Sequence, residues 1–90
     1  MSQSAERVAA FERGFLDDLR FWIETDRKTA LKILELVGAI LDGPFRGIGK
    51  PEPLKHALAG CWSRRITQEH RLVYEVTPDR IAFLQARYHY

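Results

Sequence analysis

The N-terminal half of the chain carries the hydrophobic periodicity of two helices. Between residues 15 and 23 the apolar positions recur every three or four residues, which is the repeat of one face of an amphipathic helix. A second apolar stripe predicts another helix over about 27–41, with capping oxygens offered by Thr25 and Asp26 just before it. Because this second helix is apolar on more than one side, we expect it to be buried on two sides or to contact a partner.

The C-terminal half instead alternates between apolar and polar residues with a period of two. Turn residues at 68–70 and 78–80 separate three alternating segments, Cys61–Thr67, Arg71–Thr77 and Ile81–Tyr90. This pattern predicts a three-stranded antiparallel meander. A possible short strand at 7–11 precedes the first helix.

The register of the meander decides which side chains share a face of the sheet. If both turns are three-residue loops, the core face holds Trp62, Ile66, Leu72, Tyr74, Val76, Ala82, Leu84, Ala86 and Tyr88. The opposite face then holds Ser63, Arg65, Thr67, Arg71, Val73, Glu75, Gln85, Arg87 and His89. A one-residue slip in either loop would mix the two sets. Arg64 is the exception on the apolar face, and we assign it a structural role.

The loop between the two halves reads GIGKPEPLKHALAG. Two prolines bracket Glu52, which excludes a regular helix or a central strand at that point. A helical turn is possible over 54–58. The loop is not a phosphate-binding P-loop, because Lys50 is followed by Pro51 rather than by Ser or Thr.

Composition and charge narrow the class of protein. A chain of 90 residues with 46% hydrophobic and 29% charged residues is typical of one globular domain. The beginning of the chain has no pattern of a secretory signal, and the single Cys61 permits no internal disulfide, so we expect a cytoplasmic protein. Residues 46–90 hold 8 basic and 4 acidic side chains, against 6 and 8 in residues 1–45, which favours a polyanionic partner.

The polar face and the proline-bracketed loop together carry the groups needed to cleave RNA without a metal. In that reaction the 2′-hydroxyl attacks the adjacent phosphorus, so a base, an acid and cations at the phosphate are required. Glu52 and His89 could serve as base and acid, and Arg71 with Arg65 could hold the phosphate charge. Lys55 is a further cation near Glu52.

Each of these residues also has a purely structural interpretation. A glutamate between prolines is usually a solvated loop residue, and isolated arginines such as Arg65 and Arg71 usually line an exposed strand. Terminal histidines and tyrosines are most often surface or packing groups. His56 and His70 lack a third ligand at a familiar metal spacing, so we expect neither a metal nor another cofactor.

Two stretches are similar to a known family. GKPEPLKHALAGCWSRRITQEHRLVYEV and the terminal ARYHY closely resemble the YoeB-type (Txe group) toxins of the RelE superfamily, and the likeness extends back to about Leu16. The resemblance implies an α+β fold in which two N-terminal helices pack on a four-stranded antiparallel sheet. It implies one toxin domain over 1–90, and residues 1–6, which precede the usual family start, are expected to be a flexible extension.

The resemblance also implies an activity and partners. Such toxins are mRNA interferases that cleave message in the ribosomal A site and leave a 2′,3′-cyclic phosphate and a 5′-hydroxyl. The implied partners are the 70S ribosome with its mRNA, a cognate YefM-like antitoxin and a second toxin copy.

Site residues follow by matching the family's motifs. Glu52 of KPEP would be the general base, Arg71 of EHRLVY would stabilise the transition state, His89 would be the general acid, and Tyr90 would position the substrate. Arg65 and Lys55 would bind phosphate, and the terminal tyrosines, Tyr88 included, would stack on unpaired bases. This substrate-binding set is Arg65, Lys55 and Tyr88.

Two other classes of function stay open on the sequence alone. A relative of the ParE-type toxins would inhibit DNA gyrase by contact and would not need the Glu–Arg–His set. A basic RNA-binding module without toxicity would need only the positive surface.

Overall fold

The computed structural model describes residues 7–88 as two helices packed against one sheet. The N-terminal extension expected at residues 1–6 lies outside the described residues. The elements in chain order are β1 (Val8–Phe11), α1 (Arg13–Thr25), α2 (Arg27–Asp42), β2 (Glu52–Pro53), a short 3₁₀ turn (His56–Leu58), β3 (Cys61–Arg65), β4 (Arg71–Val76) and β5 (Arg80–Gln85).

Both predicted helices are confirmed, and so is the cap between them. The carboxylate of Asp26 accepts the Thr29 N–H at 3.3 Å and the Thr29 hydroxyl at 2.8 Å, which satisfies donors in the first turn of α2. The face of α2 toward the sheet is fully buried at Ile33, Leu36 and Ile40. Its outer side still exposes large apolar residues, as expected from its two-sided pattern: Leu31, Leu34 and Leu41. Neither this helix nor any other in residues 7–88 is long and apolar enough to cross a membrane.

The sheet has five strands in the order β1-β5-β4-β3-β2 and is mixed, not four-stranded and antiparallel. The extra strand is β2, a two-residue segment paired antiparallel with β3 at the sheet edge, where Pro53 is tolerated. The other difference is β1, which runs parallel to β5 because the connection through both helices carries the chain across the sheet.

The expected faces hold between β3 and β4, although the register is shifted by two positions, since Arg71 pairs with Arg65 and not with Thr67. Between β4 and β5 the expected register is wrong and so are the faces. Val76 pairs with Ile81 and Tyr74 with Phe83, so Ile81 and Phe83 face the core. Ala82 and Leu84, assigned to that face from the sequence, lie on the other side. The turn is one residue shorter than expected, since the Thr77 N–H bonds to the Arg80 carbonyl at 2.9 Å and only Pro78 and Asp79 lie between them. An irregularity between Val73 and Tyr74 then brings Val73 opposite Gln85.

The structural role expected for Arg64 is supported by its contacts inside the core. Its side chain is 0% exposed and donates to the carbonyls of Gly43, Arg46 and Ile48 at 2.7–3.0 Å. It also donates to the hydroxyl of Tyr74 at 3.1 Å. A buried guanidinium is costly unless its donors are satisfied, and here it holds the loop after α2 against the sheet.

Candidate active site

The face of the sheet opposite the helices brings Glu52, Arg65 and Arg71 to one side. Glu52 pairs directly with Ser63, and Arg65 pairs directly with Arg71. Paired residues in antiparallel strands project to the same face, and Ser63 and Arg65 are two residues apart on β3. Glu52 and Arg65 are therefore diagonal neighbours, at roughly 7–8 Å. We call this surface the open face.

The loop that carries Glu52 is held on the open face by a small apolar cluster. Leu54 packs against Cys61 and Val73, all three of them buried, with Leu84 at the margin. The Leu54 N–H also bonds to the Cys61 carbonyl at 2.9 Å. Beside this anchor lies a pocket of about 320 Å³, lined by Glu52, Pro53, Leu54, Lys55, His56 and Leu58. The base candidate and the cation candidate Lys55 thus share one pocket.

The two arginines of the open face lack a carboxylate partner within residues 7–88. Glu75, on the same face, forms no ion pair with either arginine in this part of the chain. Arg65 is exposed, and within residues 7–88 the guanidinium of Arg71 donates only to the Thr67 carbonyl at 3.3 Å. Like charges placed opposite each other across two strands repel, so the pair stabilises the fold little. Such an arrangement is suited to a bound anion.

Cys61 lies under this surface as a buried strand thiol. Burial raises the pKa of the thiol above its ordinary value, and the nearby Glu75 carboxylate raises it further. A thiol with a raised pKa is a poor nucleophile. Across the described ranges no three His, Cys, Asp or Glu side chains are grouped as metal ligands.

The chain leaves the sheet earlier than expected, because β5 ends at Gln85 and not at Tyr90. The alternation of faces therefore does not continue into the tail. Arg87, assigned to the open face from the sequence, instead stacks its guanidinium on the Phe21 ring of α1 at 3.5 Å and on the Tyr88 ring at 4.6 Å. That assignment was wrong, and the cation serves to pack the tail.

Side chains that sequence reasoning missed hold the backbone of the tail. The indole of Trp22 donates to the Ala86 carbonyl at 2.8 Å, and the carboxylate of Asp18 accepts the Ala86 N–H at 2.9 Å. The Nδ1 atom of His70 accepts the Tyr88 N–H at 2.8 Å. No local pattern marks these contacts, since the partners are 18 to 68 positions apart in the chain.

The general acid and the substrate-positioning tyrosine expected at His89 and Tyr90 lie outside the described residues. The last described residue, Tyr88, is 59% exposed, and its carbonyl accepts the backbone N–H of Arg71 at 3.0 Å. The tail therefore reaches the row of residues that contains Arg71. The roles of Glu52, Arg65, Lys55, Arg71, Tyr88, His89 and Tyr90 stay predictions.

Solved structures share this fold over nearly the whole chain. A YoeB/ParE toxin from Agrobacterium tumefaciens superposes with a TM-score of 0.86 at 44% identity, covering 92% of this chain and 99% of that one. A YoeB dimer and a YoeB–YefM complex from Staphylococcus aureus superpose with TM-scores of 0.84 and 0.81. Each is 40% identical and covers 96% of this chain and 100% of the matched chain.

The sequence comparisons then identify the family. Toxin YoeB of Escherichia coli K12 is 57% identical over 74 residues, which is 82% of this chain and 88% of the relative. Residues 11–90 match the family model described as YoeB-like toxin of bacterial type II toxin-antitoxin system. The chain belongs to this family of toxins, and the resemblance inferred from its motifs is confirmed.

Proposed function

We propose that this toxin is a ribosome-dependent mRNA interferase that cleaves message in the A site without a metal. The observation that carries the proposal is the open face, where Glu52 lies diagonal to an arginine pair that has no carboxylate partner among residues 7–88. A carboxylate beside two cations can take a proton from a hydroxyl while the cations hold a phosphate.

The reaction we propose moves one proton onto the protein and one off it. The carboxylate of Glu52 takes the proton of the 2′-hydroxyl as the 2′-oxygen bonds to phosphorus. The phosphorus–5′-oxygen bond breaks, and the imidazolium of His89 gives its proton to the departing oxygen. Arg71 and Arg65 stabilise the added negative charge at phosphorus, and the products are a 2′,3′-cyclic phosphate and a 5′-hydroxyl.

The remaining groups hold the substrate. Lys55, in the same pocket as Glu52, adds a cation at a neighbouring phosphate. Tyr90 positions the scissile nucleotide. The exposed ring of Tyr88 offers a surface on which an unpaired base can stack, a contact of about 1–3 kcal/mol in proteins that bind single strands.

We further propose a YefM-like antitoxin as the cognate partner and a toxin homodimer as a second assembly. Relatives from Staphylococcus aureus have been solved as a YoeB dimer and as a YoeB–YefM complex. In this chain the outer side of α2 exposes Leu31, Leu34 and Leu41, an apolar stripe that suits protein contact. Ribosome and mRNA complete the proposed set of partners.

Gyrase inhibition is the second candidate function, since the similar structure from Agrobacterium tumefaciens is described as a YoeB/ParE toxin. Expression of the chain in a bacterium separates the possibilities. An interferase arrests translation and leaves messages cut within codons, which mapping of RNA 5′ ends detects. A gyrase inhibitor induces the DNA-damage response with intact messages, and a passive RNA binder permits growth. Intact messages in arrested cells would refute the interferase proposal.

A further inference from the structure

His70 and Arg71 grip the backbone of Tyr88 from two sides. The Nδ1 atom of His70 accepts the Tyr88 N–H at 2.8 Å, and the Arg71 N–H donates to the Tyr88 carbonyl at 3.0 Å. We propose that His70 is a positioning residue, which fixes the point from which the catalytic tail continues to His89. This inference rests on the proposed function, because it assumes that the tail carries the general acid.

The conformation of Tyr88 explains why such a grip is needed. Its φ is +63°, in the left-handed region that residues with a side chain rarely adopt. A backbone in that region is retained only where surrounding contacts determine it. At Tyr88 the N–H bonds to His70 and the carbonyl bonds to Arg71. These two consecutive residues therefore fix the backbone of Tyr88 together.

The imidazole of His70 is itself fixed from several directions. Its ring meets the indole of Trp22 edge to face, with ring centres 4.9 Å apart, and it lies 5.7 Å from the Tyr88 ring. The side chain is only 15% exposed. The Thr67 hydroxyl accepts the His70 N–H at 3.2 Å, which orders the turn beneath it. A ring held in this way can place an acceptor atom accurately.

The hydrogen bond also depends on one particular atom of His70. The Tyr88 N–H needs an acceptor, and the imidazole presents its Nδ1 to that N–H. The carboxylate of Glu69 lies 3.9 Å from Nε2. The position thus uses two properties of histidine, a flat ring against Trp22 and an acceptor at the δ position.

Two substitutions separate these properties. His70→Phe keeps a flat ring beside Trp22 but removes the acceptor. His70→Asn loses the ring but places an amide oxygen on Cγ, where histidine has Nδ1. If the acceptor matters, Asn preserves activity and Phe does not; if only packing matters, the order is reversed.

The first measurement is cleavage of A-site mRNA on purified ribosomes. We expect His70→Phe to lower kcat about 10²-fold with little change in KM, since misplacing a catalytic group by about 1 Å costs this much. His70→Asn should stay within a few-fold of the wild type. A fully active His70→Phe protein, or equal losses in the two folded variants, would overturn the proposal.

The second measurement is hydrogen exchange of the Tyr88 amide by NMR, which does not depend on activity. The amide should be protected in the wild type and in His70→Asn and should exchange faster in His70→Phe. Equal protection in all three proteins would overturn the positioning role even if the variants differ in activity. A wild type that leaves mRNA intact but shows the expected exchange pattern would refute the proposed function alone.

Discussion

Arg64 and Arg65 are neighbours on β3, yet the two faces of the sheet give them opposite environments. Arg64 points toward the helices, is 0% exposed and donates to four oxygens of the protein. Arg65 points to the open face, is exposed, and pairs with Arg71 on β4. The same side chain therefore serves the fold on one face and is left available to a ligand on the other.

The two faces of the sheet therefore differ in what they contribute, the helix-covered face to stability and the open face to the proposed activity. On the helix-covered face, polar side chains form hydrogen bonds with other groups of the protein. The Tyr74 hydroxyl, for example, accepts from Arg64 and donates to the Pro44 carbonyl at 2.6 Å. On the open face, one carboxylate and two cations form no ion pair within residues 7–88. Substitutions on the first face should change unfolding free energy, and those on the second should change activity.

The largest expected effect on the fold is that of Arg64→Leu. The substitution removes the donor to the carbonyls of the loop after α2 and leaves the Tyr74 hydroxyl only its bond to the Pro44 carbonyl. Breaking a buried charged network in this way costs about 3–5 kcal/mol. Urea denaturation measures the loss, with Arg65→Leu as the matched control within about 0.5 kcal/mol of the wild type. Equal losses in the two variants would contradict the division between the faces.

Arg71→Ala should lower the rate of cleavage and leave the unfolding free energy nearly unchanged. Removing a group that stabilises developing charge lowers the rate about 10²–10³-fold. The unfolding free energy should change little, since the substitution removes only a weak bond to the Thr67 carbonyl and relieves repulsion from Arg65. Single-turnover cleavage and urea denaturation of the same sample test both parts. A stable but fully active variant would exclude Arg71 from catalysis.

A smaller effect on stability alone is expected for Asp26→Ala. The substitution deletes the N-cap of α2, far from the open face, and costs about 1 kcal/mol. Cleavage by the folded fraction should equal that of the wild type. A loss of activity beyond the loss of folded protein would show that the helix side contributes directly to the reaction.

The smallest effect is a fall in stability at alkaline pH. Burial raises the pKa of Cys61 and, against the opposing effect of Arg64, that of Tyr74. Above the ordinary pKa of each group the unfolded chain loses its proton while the folded chain keeps it, so unfolding becomes easier as pH rises. Cys61→Ala should flatten the stability–pH curve above the ordinary thiol pKa. An identical curve in both proteins would exclude a contribution from Cys61.

The elements set by local patterns were predictable from the sequence, and those set by distant contacts were not. Helical spacing and the Asp26 cap predicted α2 to within one residue, Arg27–Asp42 against about 27–41. The two-residue strand at Glu52 has no period to detect, because it forms only by pairing with β3. The β4–β5 register depended on a single turn residue, and one position was enough to exchange Phe83 with Leu84.

The shared face of the strand residues in the candidate site was predictable, whereas Arg87 in the tail was assigned to the wrong face. Arg65 and Arg71 fall on one face because β3 and β4 alternate regularly. Arg87 was misplaced because alternation was extended beyond Gln85, where α1 takes over as the partner of the chain. The hold of His70 on the tail joins segments that no sequence pattern relates.

The measurement that tests the open face most directly is product analysis with purified 70S ribosomes and an mRNA bearing a defined A-site codon. The wild type should yield a 2′,3′-cyclic phosphate and a 5′-hydroxyl at that codon. Glu52→Gln should cut about 10²–10⁴-fold more slowly while keeping the wild-type unfolding free energy. Cleavage by Glu52→Gln at the wild-type rate, or no cleavage by the wild type, would contradict the proposed chemistry of this face.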